Sequence, residues 1–129
     1  MKKTMILYCA IFLLFSLPLF SEESENKNIN IGQTMRNMMN TFININQSFK
    51  ANDYFETSEG LMDLAKLVKP LTKINPPKGS KEQWNTFLNE LIKNCFLAIG
   101  AAADENSEAI KKYLGRISEI QKQGHTLFR

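Results

Sequence analysis

Between Ile31 and Phe49 the apolar side chains Ile31, Met35, Met38, Phe42, Ile45 and Phe49 recur at intervals of four, three, four, three and four. Positions three and four apart share a helix face, so this spacing predicts one apolar stripe on an amphipathic helix over roughly residues 29–50. Three more stretches carry the same period. The second begins at Asp53, with Glu56 three residues on as a capping-box-like start. Its stripe runs Tyr54 or Phe55, Ser58, Leu61 or Met62, Ala65, Val68 and Leu71, and Pro70 should kink or end it. After the break Asn75-Pro76-Pro77-Lys78-Gly79, Ser80 caps a third helix with Gln83 at the reciprocal position. Its inward side reads Trp84, Phe87 or Leu88, Leu91, Cys95, Ala98 and Ala102. Asp104-Glu105-Asn106-Ser107 is a short polar turn, and Ser107 is the expected cap of a fourth helix with the stripe Ile110, Tyr113, Leu114, Ile117, Ile120, Gly124 and Phe128. No stretch after residue 21 alternates apolar and polar residues as a strand would. The expected fold is therefore all-α, an antiparallel up-down-up-down four-helix bundle over residues 29–129.

The first 21 residues are read separately. Lys2 and Lys3 precede an apolar run of 16 residues, Met5 to Phe20, and Ser21 stands before Glu22-Glu23-Ser24-Glu25. That layout reads as a secretory signal peptide. A run of this length, broken by Pro18, is short for a membrane span, which needs about 20 residues. Cleavage is expected after Ser21, where Leu19 makes the small-residue site imperfect. The product would be a periplasmic protein with a disordered polar lead-in at 22–28 and no membrane insertion once mature.

Charge and cysteine content narrow the function classes. Lys2 and Lys3 leave with the leader, so 14 of the 16 basic residues remain against all 13 acidic ones. A chain so nearly neutral, with no basic patch, carries no signature of nucleic-acid binding. Cys9 lies inside the leader, which leaves Cys95 alone and rules out an internal disulfide. There is no glycine-rich phosphate loop and no paired-cysteine zinc motif. A Cys–His dyad would need Cys95 and His125, which fall at different heights in an antiparallel bundle, so no enzyme is expected.

The remaining chemistry sits at one end of the bundle. His125 falls at the margin of the fourth stripe, and Met35 lies early in the first. Antiparallel first and fourth helices bring both to the same end. A thioether and an imidazole facing each other suit haem iron as axial ligands. Met38, Met39 and Phe42 are expected beside them, with Leu64, Val68, Leu71, Trp84, Phe87, Leu88, Ile117, Gly124 and Phe128 as apolar lining. Gly124 removes bulk beside the histidine. Thioethers at Met35, Met38, Met39 and Met62 also suit Cu(I), but Met39 lies off the stripe and the chain offers few further ligands.

The run Gly124-His125-Thr126-Leu127-Phe128-Arg129 resembles the C-terminus of the cytochrome c-prime and soluble periplasmic cytochrome b superfamily, in which a His, two spacers, an aromatic and an Arg close the last helix. Trp84-Asn85-Thr86-Phe87 and Ala101-Ala102-Ala103-Asp104 are similar to that family's third helix and following turn, and Met35 matches the methionine ligand of its b-type members. The resemblance implies a haem-binding protein of electron transfer or small-gas binding, with a redox partner protein and room for a homodimer. It also implies Arg129 as a partner for a haem propionate. One departure matters. Gln121 and Gly124 stand where the c-type members carry the cysteines of Cys-x-x-Cys-His, so haem would be non-covalent and b-type, held by His125 and Met35. The alternative is a haem-free bundle serving as a structural or binding module of the cell envelope.

Overall fold

The computed structural model describes residues 29–128. The expected leader, the lead-in at 22–28 and Arg129 lie outside them. Four helices follow in order: α1 (Ile31–Lys50), α2 (Tyr54–Val68), α3 (Lys81–Ala103) and α4 (Ser107–Phe128), with a 3-10 turn (Lys69–Lys73) after α2. There is no strand among the described residues. The chain is an all-α, antiparallel up-down-up-down four-helix bundle.

Each helix starts on a side chain that takes up an otherwise orphaned N–H. Asn30 accepts from Gln33 N at 3.0 Å, Asp53 from Glu56 N at 3.0 Å, Ser80 from Gln83 N at 3.1 Å and Asn106 from Ala109 N at 3.1 Å. The cap of α4 is thus Asn106 and not Ser107. Ser107 Oγ instead lies 2.6 Å from Tyr54 Oη, joining the starts of α2 and α4. The reason lies in the preceding turn. Glu105 adopts φ 53°, Glu105 N donates to Ala102 O and Asn106 N to Ala101 O, which is a Schellman closure of α3. The residue that completes the closure is also the next cap. The α1–α2 turn is built identically: Asn52 has φ 58°, Asn52 N donates to Phe49 O and Asp53 N to Ser48 O.

α2 ends at Val68, and Pro70 sits near the start of the 3-10 turn, where its missing N–H is tolerated. The turn is held from α3. Lys81 Nζ donates to Thr72 O at 2.9 Å and to Ile74 O, and Trp84 Nε1 donates to Leu71 O at 2.8 Å.

The core follows the stripes. Met38, Ile45, Leu61, Leu64, Val68, Leu71, Trp84, Leu88, Leu91, Cys95, Ala98, Ile110, Leu114, Ile117, Ile120 and Phe128 are buried. In α2 the inward residues are Thr57, Leu61, Leu64, Ala65 and Val68. Of the paired alternatives on that helix, Phe55 is 76% exposed and Met62 lies at the surface. Thr57 is tolerated inside because its hydroxyl donates to Asp53 O at 2.7 Å. Close seams join α1 to α2, α2 to α3 and α3 to α4; α1 and α4 share no comparable seam of Cα atoms within 8 Å.

Candidate functional site

The end of the bundle that holds the last turn of α4 also holds the start of α3 and the 3-10 turn, and this is where three of the expected site residues, Trp84, Gly124 and Phe128, meet. Phe128 is buried there. Its ring packs edge-to-face on Trp84, with centroids 5.2 Å apart, and on Phe87, at 5.5 Å. Such pairs favour this near-perpendicular arrangement because the positive ring edge meets the negative face. Gly79, at φ 85°, lies on the far side: a Cβ there would stand 3.2 Å from two atoms of the Phe128 ring. Gly124 is one turn before Phe128, and a Cβ on it would reach ordinary contact distance, 3.9 Å, from both Phe128 and Phe87. Leu64, Val68, Leu71, Leu88 and Ile117 belong to the same buried core cluster as Trp84 and Phe128. Trp84 and Phe128 are therefore committed to each other and to this packing.

His125 and Met35 lie outside that packed interior. His125 is exposed, and Met35 is 38% exposed. Their positions on the helices follow from angular geometry at 100° per residue. On α1 the buried line runs through Met38 and Ile45, and the Asn37–Thr41–Asn44 flank meets α2 across a shared hollow with Asp63, Lys66 and Leu67. Met35, Met39 and half-buried Phe42 occupy the opposite flank. On α4 the buried line runs through Ile110, Ile117 and Phe128, and Gly124 turns toward Phe87 of α3. Exposed His125 and half-buried Gln121 lie to one side of that line. Met35, early in α1, and His125, in the last turn of α4, both lie outside the core, at the end of the bundle where α1 begins and α4 ends.

Spacing in the sequence placed Met35 in the middle of its stripe and His125 at the margin of its own. The fold leaves both outside the core, Met35 at 38% exposure and His125 exposed. Gln121 on α4 and Gly79 against Phe128 were not among the expected site residues. The turn Pro77-Lys78-Gly79 carried the only signal for the second, since a positive φ there calls for glycine. Arg129, the expected propionate partner, lies outside the described residues.

Elsewhere the groups are ordinary. Cys95 is buried in the middle of α3, and burial pushes its thiol up to about 12, so it stays protonated. Two open surface hollows, of about 480 and 530 Å³, lie between α1 and α2, lined mainly by amides, hydroxyls and the carboxylates Asp53, Glu56, Glu59 and Asp63. Neither includes His125, Met35, Trp84 or Phe128. Among the described residues there is no group of three or more His, Cys, Asp or Glu placed to hold a metal ion, and no helix long and apolar enough to cross a membrane.

No family profile, curated protein or solved structure matches the chain.

Proposed function

We propose that this chain is an exported haem-binding protein of the bundle-cytochrome type, with a non-covalent b-type haem held along the α1–α4 seam by His125 and Met35. The observation that supports the reading is that Met35, early in α1, and exposed His125, late in α4, lie at the same end of the antiparallel bundle, on two helices with no close seam of Cα atoms between them. The donor pair suits haem iron, and the interior does not offer the space. Trp84, Phe128, Leu64, Val68 and Leu71 are packed in the core, so a haem sunk among them does not fit.

When bound, haem supplies an iron suited to electron transfer with two axial ligands, or to diatomic gases with one. The chain's own residues do the rest. His125 donates a ring nitrogen from α4, and Met35 donates sulfur or, unligated, forms a wall. Phe42, half-buried on α1, would add apolar surface beside Met35. Phe128, locked between Trp84 and Phe87, closes the interior behind and keeps water from it. Arg129, four positions after His125 in the sequence, would suit a propionate carboxylate.

A haem titration of the chain as recovered from cells tests this. A sharp Soret band saturating at one haem per chain is expected, and His125→Ala should abolish binding or weaken it severely. A broad free-haem band with no saturation, or unchanged affinity in the His125→Ala protein, ends the assignment.

The second reading is a haem-free bundle acting as a binding or structural module of the cell envelope. The packed interior favours it: the large side chains at this end are buried, and the buried indole N–H of Trp84 is paired with Leu71 O. It expects a colourless protein indifferent to haem.

A further inference from the structure

We propose that the lysine-bearing end of the bundle, around the 3-10 turn, docks peripherally on an anionic phospholipid surface. The inference does not depend on the haem-binding reading. Near-neutral totals of acids and bases conceal a basic patch, because the fold separates the two charges. Lys66, Lys69, Lys73, Lys78 and Lys81 fall between residues 66 and 81, a segment with no acidic residue. It runs from the last turn of α2 through the 3-10 turn to the first residue of α3, so all five gather at one end. The first four are exposed. Among the described residues Lys66, Lys69 and Lys78 form no ion pair, so no carboxylate neutralises them locally. At the opposite end, residues 50–60 and 104–108 hold Asp53, Glu56, Glu59, Asp104, Glu105 and Glu108 against Lys50 alone. A negative surface therefore attracts one end and repels the other, which orients the bundle.

The segment is held in place. Lys81 Nζ donates to Thr72 O and Ile74 O, Trp84 Nε1 to Leu71 O, and Thr72 Oγ1 to Lys69 O. Lys81 is thus engaged inside the fold and fixes the loop that displays the other lysines. Two features favour lipid over nucleic acid. The segment has no arginine for bidentate phosphate contacts and no aromatic ring for base stacking. An apolar tip stands beside the lysines instead. Leu127 is 42% exposed, and a Cβ on Gly79, next to Lys78, would stand 3.7 Å from the Leu127 carbonyl oxygen. Lysines around an aliphatic side chain suit the headgroup boundary of an anionic membrane. The docking is peripheral, since no helix among the described residues is long and apolar enough to cross a membrane.

Co-sedimentation with vesicles tests this on the chain as recovered from cells, with mixed phosphatidylglycerol–phosphatidylcholine vesicles and with phosphatidylcholine alone. Binding to the anionic vesicles alone is expected at low salt. It should be lost in about 1 M salt, where the screening length shrinks to about 3 Å. One lysine near an anionic surface contributes about fivefold in affinity, so Lys66→Gln, Lys69→Gln and Lys78→Gln together should weaken binding about 100-fold. Lys78→Gln alone, in the loop outside every helix, should weaken it about fivefold. The matched control, Lys93→Gln with Lys111→Gln and Lys112→Gln, removes three exposed lysines elsewhere and should lose far less. Circular dichroism should show the same helical signal in every variant. No binding to the anionic vesicles, binding that persists in high salt, or equal losses in the two triple variants would overturn the proposal. Tighter binding to duplex DNA than to the anionic vesicles would overturn it too.

Discussion

The backbone of Gly60 on α2 lies against the side chain of Ile45 on α1, so closely that a Cβ on the glycine would stand 2.7 Å from Ile45 Cγ1. Ile45 is buried and β-branched, with few rotamers to retreat into. The α1–α2 seam is therefore close because residue 60 has no side chain. In Gly60→Ala the helix-propensity gain of about 1 kcal/mol opposes an overpacking cost of about 1–3 kcal/mol. A net loss of up to about 2 kcal/mol is expected in denaturant unfolding. Gly115 on α4 is the control, because nothing lies within 4 Å of its would-be Cβ. Gly115→Ala should gain about 0.5–1 kcal/mol. Equal gains at both positions would show that the close approach is not a constraint.

The two helix hairpins share a turn but differ at its left-handed residue. Asn52 and Glu105 hold φ 58° and 53°. Asparagine tolerates that region, whereas a glutamate there carries a cost of about 1–2 kcal/mol. Glu105→Gly relieves it, offset in part by the extra freedom of glycine in the unfolded chain, worth about 0.5–1 kcal/mol. A small net rise in thermal midpoint is expected, and Glu105→Asn should also raise it. A fall in both variants would mean that the Glu105 side chain stabilises the turn by some other contact.

These turns also show what could be read from the chain beforehand. Two caps, Asp53 and Ser80, and the four stripes were legible, because they depend on local spacing and on which side chains accept N–H bonds; Asn30, which caps α1, was not read. Ser107 was the wrong choice over Asn106, since a Schellman closure needs three consecutive conformations that spacing does not encode. The pairs Tyr54 or Phe55 and Leu61 or Met62 differ by one helix position, about 100°, and only the direction of α3 decides between them. The open α1–α4 seam was illegible for a deeper reason. Periodicity defines an inward arc on each helix, but how nearly two arcs close depends on facing volumes, such as Gly60 against Ile45, that come from distant parts of the chain.

Phe128 is the ring on which the C-terminal end of the bundle closes. Truncating a buried phenylalanine costs about 3–5 kcal/mol. Phe128→Ala should fall toward the lower part of that range, because the last turn of α4 can partly collapse. Its neighbour Leu127 is 42% exposed, so Leu127→Ala is expected to matter little. Thermal unfolding of both variants checks the contrast. Equal midpoints would show that the aromatic packing with Trp84 and Phe87 adds nothing to stability.

Cys95 makes a pH prediction. Burial raises its thiol from the ordinary 9.0 to about 12. Above pH 9 the unfolded chain releases this proton and the folded chain does not, so the unfolded state gains. The contribution is fully present below the ordinary value and is lost as pH rises toward the folded one. Stability should fall by up to about 1.4 kcal/mol per pH unit across that window. In Cys95→Ala the starting stability is lower, but the alkaline slope should be shallower. Parallel slopes for the two proteins would contradict a buried, protonated thiol.

Met35 and Met38 are three residues apart on α1 and should part company in function. Met38 is 5% exposed and belongs to the core, whereas Met35 lies outside it at 38%. Met38→Ala should cost about 2–5 kcal/mol of stability. It should leave the coordination of any bound haem unaltered, because its sulfur points into the bundle. Met35→Ala should cost far less in unfolding, close to the roughly 0.5 kcal/mol scatter of surface changes. Its effect is expected in the reduced absorbance spectrum, as a change from six-coordinate to five-coordinate iron. A spectrum unaltered by Met35→Ala would reduce that residue to a wall of the seam and leave His125 as the sole protein ligand.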